Sequence, residues 1–291
     1  MVAAATTRSF LRENIVKKIL ILVNPDKPGV RDALAALLPC VEGRAAVETI
    51  DMPAGPIHNG ADLVIVLGGD GSILKAARLL GGREVPVVGI NLGKLGYLAE
   101  FTAAEFGAKF DDILGGRMPV SRRLMLSVRC EKAGGQAAEY LVLNDVFVAG
   151  GEPHRMVGVA ACINGEEVTT YYGDGVLVST PTGSTAYCMA AGGPLLIPGL
   201  DAIVLVPVCP HSLTHRPIVV RPDSEIVLEP CGLQKEAVCI VDGQERVRLV
   251  RGDRVRIRRA ASAFLLIHNP DRPPFATLRE KLVWGQPPRY R

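Results

Sequence analysis

The chain has 291 residues, of which 48% are hydrophobic and only 5% aromatic, and it carries 33 basic against 30 acidic side chains. That length allows one large domain or two ordinary ones, and the composition suits an aliphatic α/β or β core. The balanced charge gives no argument for a nucleic-acid or membrane-surface partner. Seven scattered cysteines without a Cys-x-x-Cys pair fit neither a disulfide framework nor a zinc site, so we expect reduced thiols in a cytoplasmic protein.

The first third of the sequence alternates strand-like and helix-like segments. Predicted strands cover 18–23, 63–67 and 85–90, and predicted helices cover 30–38, which stops at Pro39, and 73–80. Strands separated by helices favour right-handed βαβ units and a parallel sheet. Ligands of such sheets bind beyond the carboxyl ends of the strands. Gly69–Gly71 and Asn91–Gly93 both fall at that edge.

The most informative motif is Gly68-Gly69-Asp70-Gly71-Ser72, which lies between the predicted strand at 63–67 and the next predicted helix. Glycines let backbone amides approach an anion, and the N-terminus of a helix attracts negative charge. A carboxylate in such a loop would repel phosphate unless it contacts a metal or accepts a proton. The motif therefore indicates phosphoryl transfer, although a tight turn with Asp70 as a helix cap remains the simpler alternative.

The segment 115–119 breaks this pattern, and beyond it apolar residues alternate with a period of two. Dense strands with turn dipeptides favour an all-β domain. Its predicted strands include 124–130, 140–148, 157–163, 176–179, 225–229, 238–241 and 254–258. Phe275, Leu278 and Leu282 predict a short C-terminal helix. We thus expect an α/β domain with a parallel sheet at 1–118, a mostly-β domain at 119–269, and 270–291 packing back on the first.

Two polar clusters stand out in the second part. The loop 180–187 holds Thr180, Thr182, Ser184 and Thr185 before a helix expected near Ser184, more hydroxyls than one helix cap needs, and such convergence suits a sugar or nucleotide. Asn144-Asp145 lies inside the predicted strand 140–148, where both residue types are unfavourable. A β-bulge or an internal hydrogen-bond pair would explain that dipeptide structurally, whereas a ribose or adenine held by the amide and the carboxylate is the functional interpretation.

Taken together, these motifs resemble the NAD kinase family, which uses ATP to phosphorylate the 2′-hydroxyl of the adenosine ribose of NAD. The similarity covers nearly the whole chain, and the Thr180–Tyr187 block is its most specific part. The matching blocks are 68–72, 91–98, 143–145, 174–175, 179–187, 192–194, 210–213, 216–217, 242–244, 278–282 and Trp284. The chain departs from the family pattern at Cys188, Met189 and Ala190, where relatives commonly carry Ser-Leu-Ser, and at Tyr172, where some carry a basic residue.

The resemblance implies a role for each matching position. Asp70 would accept the proton of the reacting hydroxyl, and Mg²⁺ or another divalent cation would arrive with ATP rather than in a protein cage. The residues implied to bind NAD⁺ or ATP are Gly68, Gly69, Gly71, Ser72, Lys75, Asn91, Asn144, Asp145, Arg155, Asp174, Thr182, Thr185, Ala186, Tyr187, Ala190 and Gln244. His211 lies in a matching block, with a structural hydrogen bond as the plainer interpretation. The family also implies a homodimer or homotetramer.

Three other functions compete with this interpretation. A diacylglycerol-type lipid kinase shares the Gly-Gly-Asp-Gly motif, but it does not call for the hydroxyl-rich block, and the sequence shows no interfacial amphipathic helix. A non-catalytic NAD(P)-binding sensor would keep the pocket without turnover. An arginine-rich segment, 246–259, could bind nucleic acid, but its alternation with apolar residues fits a solvated strand face better. We expect neither nucleic acid nor membrane as a partner.

Overall fold

The structure is a computed structural model that describes residues 16, 18–52, 55–57, 60–93, 96–151, 156–232 and 236–284. The chain forms two compact units. One comprises residues 1–80, 85–122 and 265–291, and the other comprises residues 81–84 and 123–264. The predicted segment 119–269 extends a few residues beyond the second unit at each end. Within the described residues, no helix is long and apolar enough to cross a membrane.

The secondary-structure elements follow one another in two groups. In chain order the first group is β1 (Lys18–Val23), α1 (Val30–Val41), β2 (Ala46–Asp51), β3 (Leu63–Leu67), α2 (Asp70–Leu79), β4 (Val87–Ile90), α3 (Ala103–Leu114) and β5 (Val120–Arg123). The second group is β6 (Leu126–Glu131), β7 (Ala137–Val142), β8 (Asp145–Gly150), β9 (Val157–Ile163), β10 (Glu166–Gly173), β11 (Gly175–Ser179), a 3₁₀ turn (Gly183–Thr185), α4 (Tyr187–Ala190), β12 (Ile203–Val208), β13 (Ile218–Val220), β14 (Ile226–Cys231), β15 (Glu236–Val241), β16 (Glu245–Val250) and β17 (Arg254–Arg259). The chain then continues with β18 (Phe264–Ile267) and α5 (Pro274–Leu282).

The α/β unit is built on a six-stranded sheet in the order β2-β1-β3-β4-β18-β5. Strands β1 to β4 pair in parallel, as do β4 and β18. The continuous apolar runs of β1 and β3 are buried along nearly their whole length, as expected of a parallel sheet covered on both faces. The predicted parallel α/β fold is confirmed, and α5 belongs to this unit, as predicted.

Two helices differ from their predicted extents. Helix α1 runs through Pro39 and ends at Val41, so the predicted stop at Pro39 was wrong. In the last turn of a helix proline removes only one hydrogen bond, which the buried apolar face of α1 outweighs. Helix α2 begins at Asp70 rather than at Ile73, which places the Gly-rich motif directly at the helix N-terminus.

The β unit contains two six-stranded sheets, ordered β10-β9-β14-β17-β6-β7 and β13-β12-β11-β8-β15-β16. Alternate apolar residues of both sheets, such as Val128, Val148 and Ile257, form one buried core. The mostly-β prediction is confirmed. On the outer face of the first sheet, Arg256 pairs with Glu131 and Glu225. At Arg256, the structure therefore supports the ion-paired strand face that the alternation of 246–259 predicted.

A buried carboxylate joins two turns of the β unit. Asp253, only 1% exposed, accepts hydrogen bonds from Lys132 Nζ at 2.9 Å and from the backbone amides of Ala133 and Val250 at 3.0 Å each. Burial alone would raise the pKa of Asp253, but these hydrogen bonds lower it below its ordinary value. Because the folded pKa is depressed, this stabilisation is complete above about pH 4 and is lost as the pH falls through the folded pKa.

We therefore predict that Asp253→Asn lowers the free energy of unfolding of the β unit by about 2–3 kcal/mol at pH 7, because Lys132 loses its buried partner. Urea denaturation of the wild type and the variant measures the difference. The difference should shrink below pH 4, where the wild-type carboxylate also becomes protonated. Equal stability at pH 7 would contradict this role for Asp253.

Candidate functional site

The carboxylate of Asp70 is held by backbone amides of a distant loop. Asp70 is the first residue of α2, directly beyond the carboxyl end of β3. Its Oδ2 accepts a hydrogen bond from Tyr97 N at 2.9 Å, and its Oδ1 accepts from Leu98 N at 2.9 Å and Ala99 N at 3.1 Å. A carboxylate has roughly four acceptor positions. Three are used, and the one that remains lies on Oδ2.

Gly96 makes room for this carboxylate. A Cβ atom at Gly96 would overlap the Asp70 side chain, coming within 2.6 Å of its Cγ. At Gly93, in contrast, a Cβ would meet nothing within 4 Å. The two glycines lie on the same segment after β4. Close packing against Asp70 requires a glycine only at position 96, because a Cβ atom at position 93 would meet no neighbour within 4 Å. The sequence motif at 91–98 therefore supports Asp70 directly.

The other residues of the first motif surround the N-terminus of α2. Gly68 has φ +154°, where a side chain would also meet Ser72, and Gly69 is the N-cap of α2. Gly71 is exposed in the first turn of the helix. Ser72 is 4% exposed, and its hydroxyl finds no hydrogen-bond partner within the described residues. A helix N-terminus with small residues suits a phosphate group.

Lys75 and Asn91 are engaged with the main chain. Lys75 Nζ donates to the carbonyl oxygen of Met52 at 3.2 Å. Asn91 follows β4, and its side chain forms a local turn in which Nδ2 donates to Gly93 O at 2.9 Å and Oδ1 accepts from Gly93 N at 3.2 Å. In this structure both side chains thus support the backbone at the carboxyl edge of the parallel sheet.

In the β unit, the dipeptide Asn144-Asp145 marks a break between strands. The predicted strand at 140–148 was wrong, because β7 ends at Val142 and β8 begins at Asp145. The carboxylate of Asp242 accepts the backbone amides that the interrupted ladder would leave unpaired. The polar dipeptide is therefore part of a built loop rather than of a continuous strand.

The carboxyl group of Asp145 lies in a site that favours its protonated form. Asp145 is 6% exposed, and no described group donates a hydrogen bond to its carboxylate. Burial, together with the nearby charge of Asp242, raises the pKa of Asp145 to about 7. A buried carboxyl group without a partner is costly unless a ligand supplies one, and perturbed pKa values concentrate at functional sites.

The hydroxyl-rich loop is more structural than the sequence suggested. Thr180 Oγ1 donates to Leu143 O at 2.6 Å, and Ser184 Oγ donates to Pro181 O at 2.7 Å. Both side chains are fully buried. The expected convergence of these hydroxyls on a ligand was therefore wrong for Thr180, which ties the loop to Leu143, and for Ser184, which ties it to Pro181 and Leu196. The helix expected near Ser184 is a 3₁₀ turn followed by the one-turn α4.

Of the remaining predicted residues of this loop, Thr182 is buried and the others are partly or fully exposed. Thr182 is 8% exposed, and its carbonyl accepts from Thr185 Oγ1 at 3.3 Å. Ala186 is half-buried at the start of α4, and Ala190 is exposed at its end. Tyr187 is 46% exposed, with its ring against the edge of Phe147 at a centroid distance of 5.4 Å.

The departure from the family pattern at Cys188 has a structural explanation. Cys188 is fully buried among Leu177, Val204 and Val206 on the outer face of the second sheet. Burial raises the pKa of its thiol to about 11, so it stays protonated. The residue acts as part of the apolar contact beneath α4, and a serine there would bury a stronger polar group.

A groove of about 590 Å³ lies on the outer face of the same sheet. Of the predicted site residues, it contains Asp174 and Tyr187. Phe147, Val238 and Ile240 form part of its apolar wall, and the sequence reasoning missed them. The sequence did hold a signal for them. Alternate side chains of β8 and β15 fill the core, so the apolar residues between them must face outward. Asp174 is exposed and accepts a hydrogen bond from the Cys209 thiol, which raises the pKa of that thiol.

Three further predicted residues lie elsewhere in the β unit or outside the described residues. Gln244 is exposed in the β15–β16 turn, where its backbone amide donates to Val241 O at 2.9 Å. His211 is exposed, and its backbone amide donates to Tyr172 O at 2.8 Å. Arg155 lies outside the described residues. Within the part of the chain that is described, no three His, Cys, Asp or Glu side chains are grouped closely enough to hold a metal ion.

The buried carboxyl group of Asp145 predicts a pH-dependent stability. The folded pKa of Asp145, about 7, lies above its ordinary value of 3.8. The free energy of unfolding is therefore unaffected by this group below about pH 4, and it decreases as the pH rises towards 7, because the unfolded chain ionises Asp145 more readily. We predict that Asp145→Asn abolishes this decrease, which is at most about 4 kcal/mol. The free energy of unfolding of the variant should then change less with pH between about pH 4 and 7 than that of the wild type. Urea denaturation across that range tests it, and Asp253→Asn should keep the wild-type slope. Identical slopes in all three proteins would contradict the prediction.

Comparison with known proteins places this geometry in a family. The ATP-NAD kinase N-terminal domain model matches residues 19–118, and the ATP-NAD kinase C-terminal domain model matches residues 143–269. An NAD kinase of Geobacter metallireducens is 37% identical over 282 residues, which cover 93% of this chain and 100% of that protein. An NAD kinase of Citrifermentans bemidjiense is 43% identical over 227 residues, covering 78% and 79% respectively.

Solved structures show the same architecture. A yeast NADH kinase complexed with NADH has a TM-score of 0.87 at 23% identity, covering 95% of this chain and 90% of the yeast chain, a likeness that establishes the fold. An NAD kinase from Archaeoglobus fulgidus in complex with ATP has a TM-score of 0.74 at 26% identity, covering 91% and 98%. With both family models matched over most of its length, the chain belongs to the NAD kinase family.

Proposed function

We propose that this NAD kinase transfers the terminal phosphoryl group of ATP to the 2′-hydroxyl of the adenosine ribose of NAD⁺, with Asp70 as the proton acceptor. The observation that carries the proposal is the Asp70 carboxylate, which three backbone amides fix at the N-terminus of α2. Kinase activity follows from family membership, and the residue roles are inferred from the geometry.

The chemistry uses the free acceptor position on Asp70. A ribose hydroxyl is a weak acid, so a carboxylate must take its proton as its oxygen bonds to phosphorus and ADP departs. Oδ1 is occupied by Leu98 and Ala99, whereas Oδ2 accepts only from Tyr97. Oδ2 is therefore the atom that receives the proton. The amides keep the carboxylate from rotating away before the transfer.

Mg²⁺ fits this site as a companion of ATP rather than as a resident metal. The described residues offer no cage of three or more ligating side chains, and Asp70 has already used most of its acceptor positions. Mg²⁺ characteristically binds through substrate phosphates and few protein carboxylates. When bound to ATP, the ion neutralises charge on the transferred group. Gly69, Gly71 and Ser72 supply the helix N-terminus that faces the phosphates.

The β unit supplies the residues for the dinucleotide. We assign Asn144 and Asp145 to the ribose hydroxyls, because Asp145 presents a buried carboxyl group without a donor. Tyr187 offers an exposed aromatic ring for stacking, and Asp174 lies in the same groove. Thr182, Thr185, Ala186, Ala190 and Gln244 are assigned to further contacts with NAD or ATP.

The cellular setting is also part of the proposal. All seven cysteines are free thiols, which supports a reducing, cytoplasmic environment. The β unit exposes large apolar side chains at Tyr172, Leu213 and Val219, which supports a homodimer or homotetramer. Light scattering of the purified protein measures the oligomeric state.

The direct test is NADP⁺ formation from NAD⁺ and Mg·ATP, read through an NADP-specific dehydrogenase. We predict ATP-dependent product in the wild type and about a 10²–10⁴-fold lower kcat in Asp70→Asn, because the variant cannot accept the proton. NAD⁺ affinity, measured by calorimetry, should change far less. Near-wild-type turnover in the variant would refute the role of Asp70. Binding of NAD⁺ without any wild-type turnover would instead favour a sensor.

A matched pair of glycine variants separates the presence of the carboxylate from its position. Gly96→Ala keeps Asp70 but places a methyl group against its Cγ, whereas Gly93→Ala meets no atom within 4 Å. We predict that Gly96→Ala lowers kcat at least about tenfold, since misplacing a catalytic group by an ångström is costly. Gly93→Ala should remain within about twofold of the wild type in the same assay. Equal kcat in the two variants would show that the amide cradle does not set the activity.

A further inference from the structure

Asp242 holds the loop before β8 by three successive backbone amides. Its Oδ2 accepts from Leu143 N at 3.1 Å, and its Oδ1 accepts from Asn144 N at 2.7 Å and Asp145 N at 3.3 Å. In return, Asp242 N donates to Asp145 O at 2.9 Å. The side chain of Asp242 is only 6% exposed. Four hydrogen bonds thus join the β15–β16 turn to the strand break.

The loop is also fixed from its other side. The carbonyl oxygen of Asn144 accepts from Thr180 N at 2.9 Å and from Ser179 Oγ at 3.3 Å. With both its N–H and its C=O engaged, the main chain of Asn144 has little freedom, so the start of its side chain is fixed. Without Asp242, these backbone amides would have no hydrogen-bond acceptor in a buried loop. Each unpaired amide would lower the free energy of unfolding by about 1–3 kcal/mol.

We propose that Asp242 is a positioning residue for the dinucleotide substrate, acting through the backbone of Leu143–Asp145 rather than by touching the substrate. The inference rests on the proposed function, in which Asn144 and Asp145 hold the ribose of NAD. It predicts that changes at Asp242 weaken NAD⁺ binding while ATP binding and the chemical step change little.

The charge of Asp242 gives a second, independent consequence. Among the residues that the structure describes, the titratable groups that act electrostatically with Asp145 are Asp242, from the β15–β16 turn, and Tyr187 and Cys188, from α4. Tyr187 and Cys188 are neutral at physiological pH, because burial raises the pKa of both. Asp242 is therefore the group whose negative charge disfavours ionisation of Asp145. A neutral side chain at position 242 should let Asp145 ionise at lower pH.

The test compares Asp242→Asn with Asp253→Asn in the full-length protein. Asp253 is a matched control, because it is also a buried carboxylate that accepts backbone amides at turns of the β unit, yet it contacts Ala133 and Val250. Asp242→Asn keeps one acceptor oxygen, so the same quantities can be measured on it if the more severe Asp242→Ala fails to fold. The readouts are the Kd for NAD⁺ by calorimetry, KM for ATP, kcat, and the urea midpoint.

We expect Asp242→Asn to raise the Kd for NAD⁺ at least about tenfold, with KM for ATP and kcat within about threefold of the wild type. Asp253→Asn should lose stability yet keep the Kd for NAD⁺ within about twofold. The pH midpoint of NAD⁺ binding should fall by about one unit in Asp242→Asn and stay unchanged in Asp253→Asn, which a merely structural role would not produce.

Two results would overturn the inference. One is an unchanged Kd for NAD⁺ in Asp242→Asn. The other is an equal loss of NAD⁺ affinity in the two variants with no difference in their pH midpoints. That result would mean that Asp242 stabilises the fold without positioning the NAD⁺-binding residues. A wild type that forms no NADP⁺ from NAD⁺ and ATP would refute the proposed function itself, and that result is read before any variant is compared.

Discussion

Two aspartates in this protein each hold a loop by accepting the N–H groups of three consecutive residues. Asp70 binds the amides of Tyr97 to Ala99, and Asp242 binds those of Leu143 to Asp145. Hydrogen bonds to an ionised acceptor are stronger than neutral ones, and buried backbone donors are costly to leave unpaired. The geometry of both candidate substrate-binding regions depends on this interaction.

The two aspartates serve different purposes because their surroundings differ. Asp70 is half-buried and keeps one acceptor position, so it is held and also available to a substrate proton. Asp242 is buried, and both of its oxygens face the backbone, so its effect is structural and electrostatic. Burial raises the pKa of Asp145, and the like charge that Asp242 places nearby raises it further. In the proposed mechanism, fixed main-chain amides thus position the reacting groups with few ionisable side chains.

Local patterns predicted the architecture well, because apolar runs and alternating strands report burial directly. The Gly-rich motif drew attention to Asp70, whose catalytic role stays a prediction, and the Thr102-to-Glu105 capping box was a readable but overlooked signal for α3. The functions of Thr180, Ser184 and Asp242 were not readable in this way. The partners of Thr180 and Asp242 lie far away in sequence, 37 positions for Thr180 and 97 to 99 for Asp242, and even the nearby partners of Ser184 depend on how its loop turns. A hydroxyl or carboxylate shows its chemistry in a sequence, whereas its partner depends on the fold.

The most direct test of the central claim is a crystal structure of the wild-type protein with NAD⁺ and a non-hydrolysable ATP analogue. We predict that the 2′-oxygen of the adenosine ribose lies about 3 Å from Oδ2 of Asp70. Oδ1 should still accept the amides of Leu98 and Ala99 in that complex. A 2′-oxygen beyond hydrogen-bonding reach of Asp70, or a carboxylate released from those amides, would contradict the assignment of Asp70 as a fixed proton acceptor.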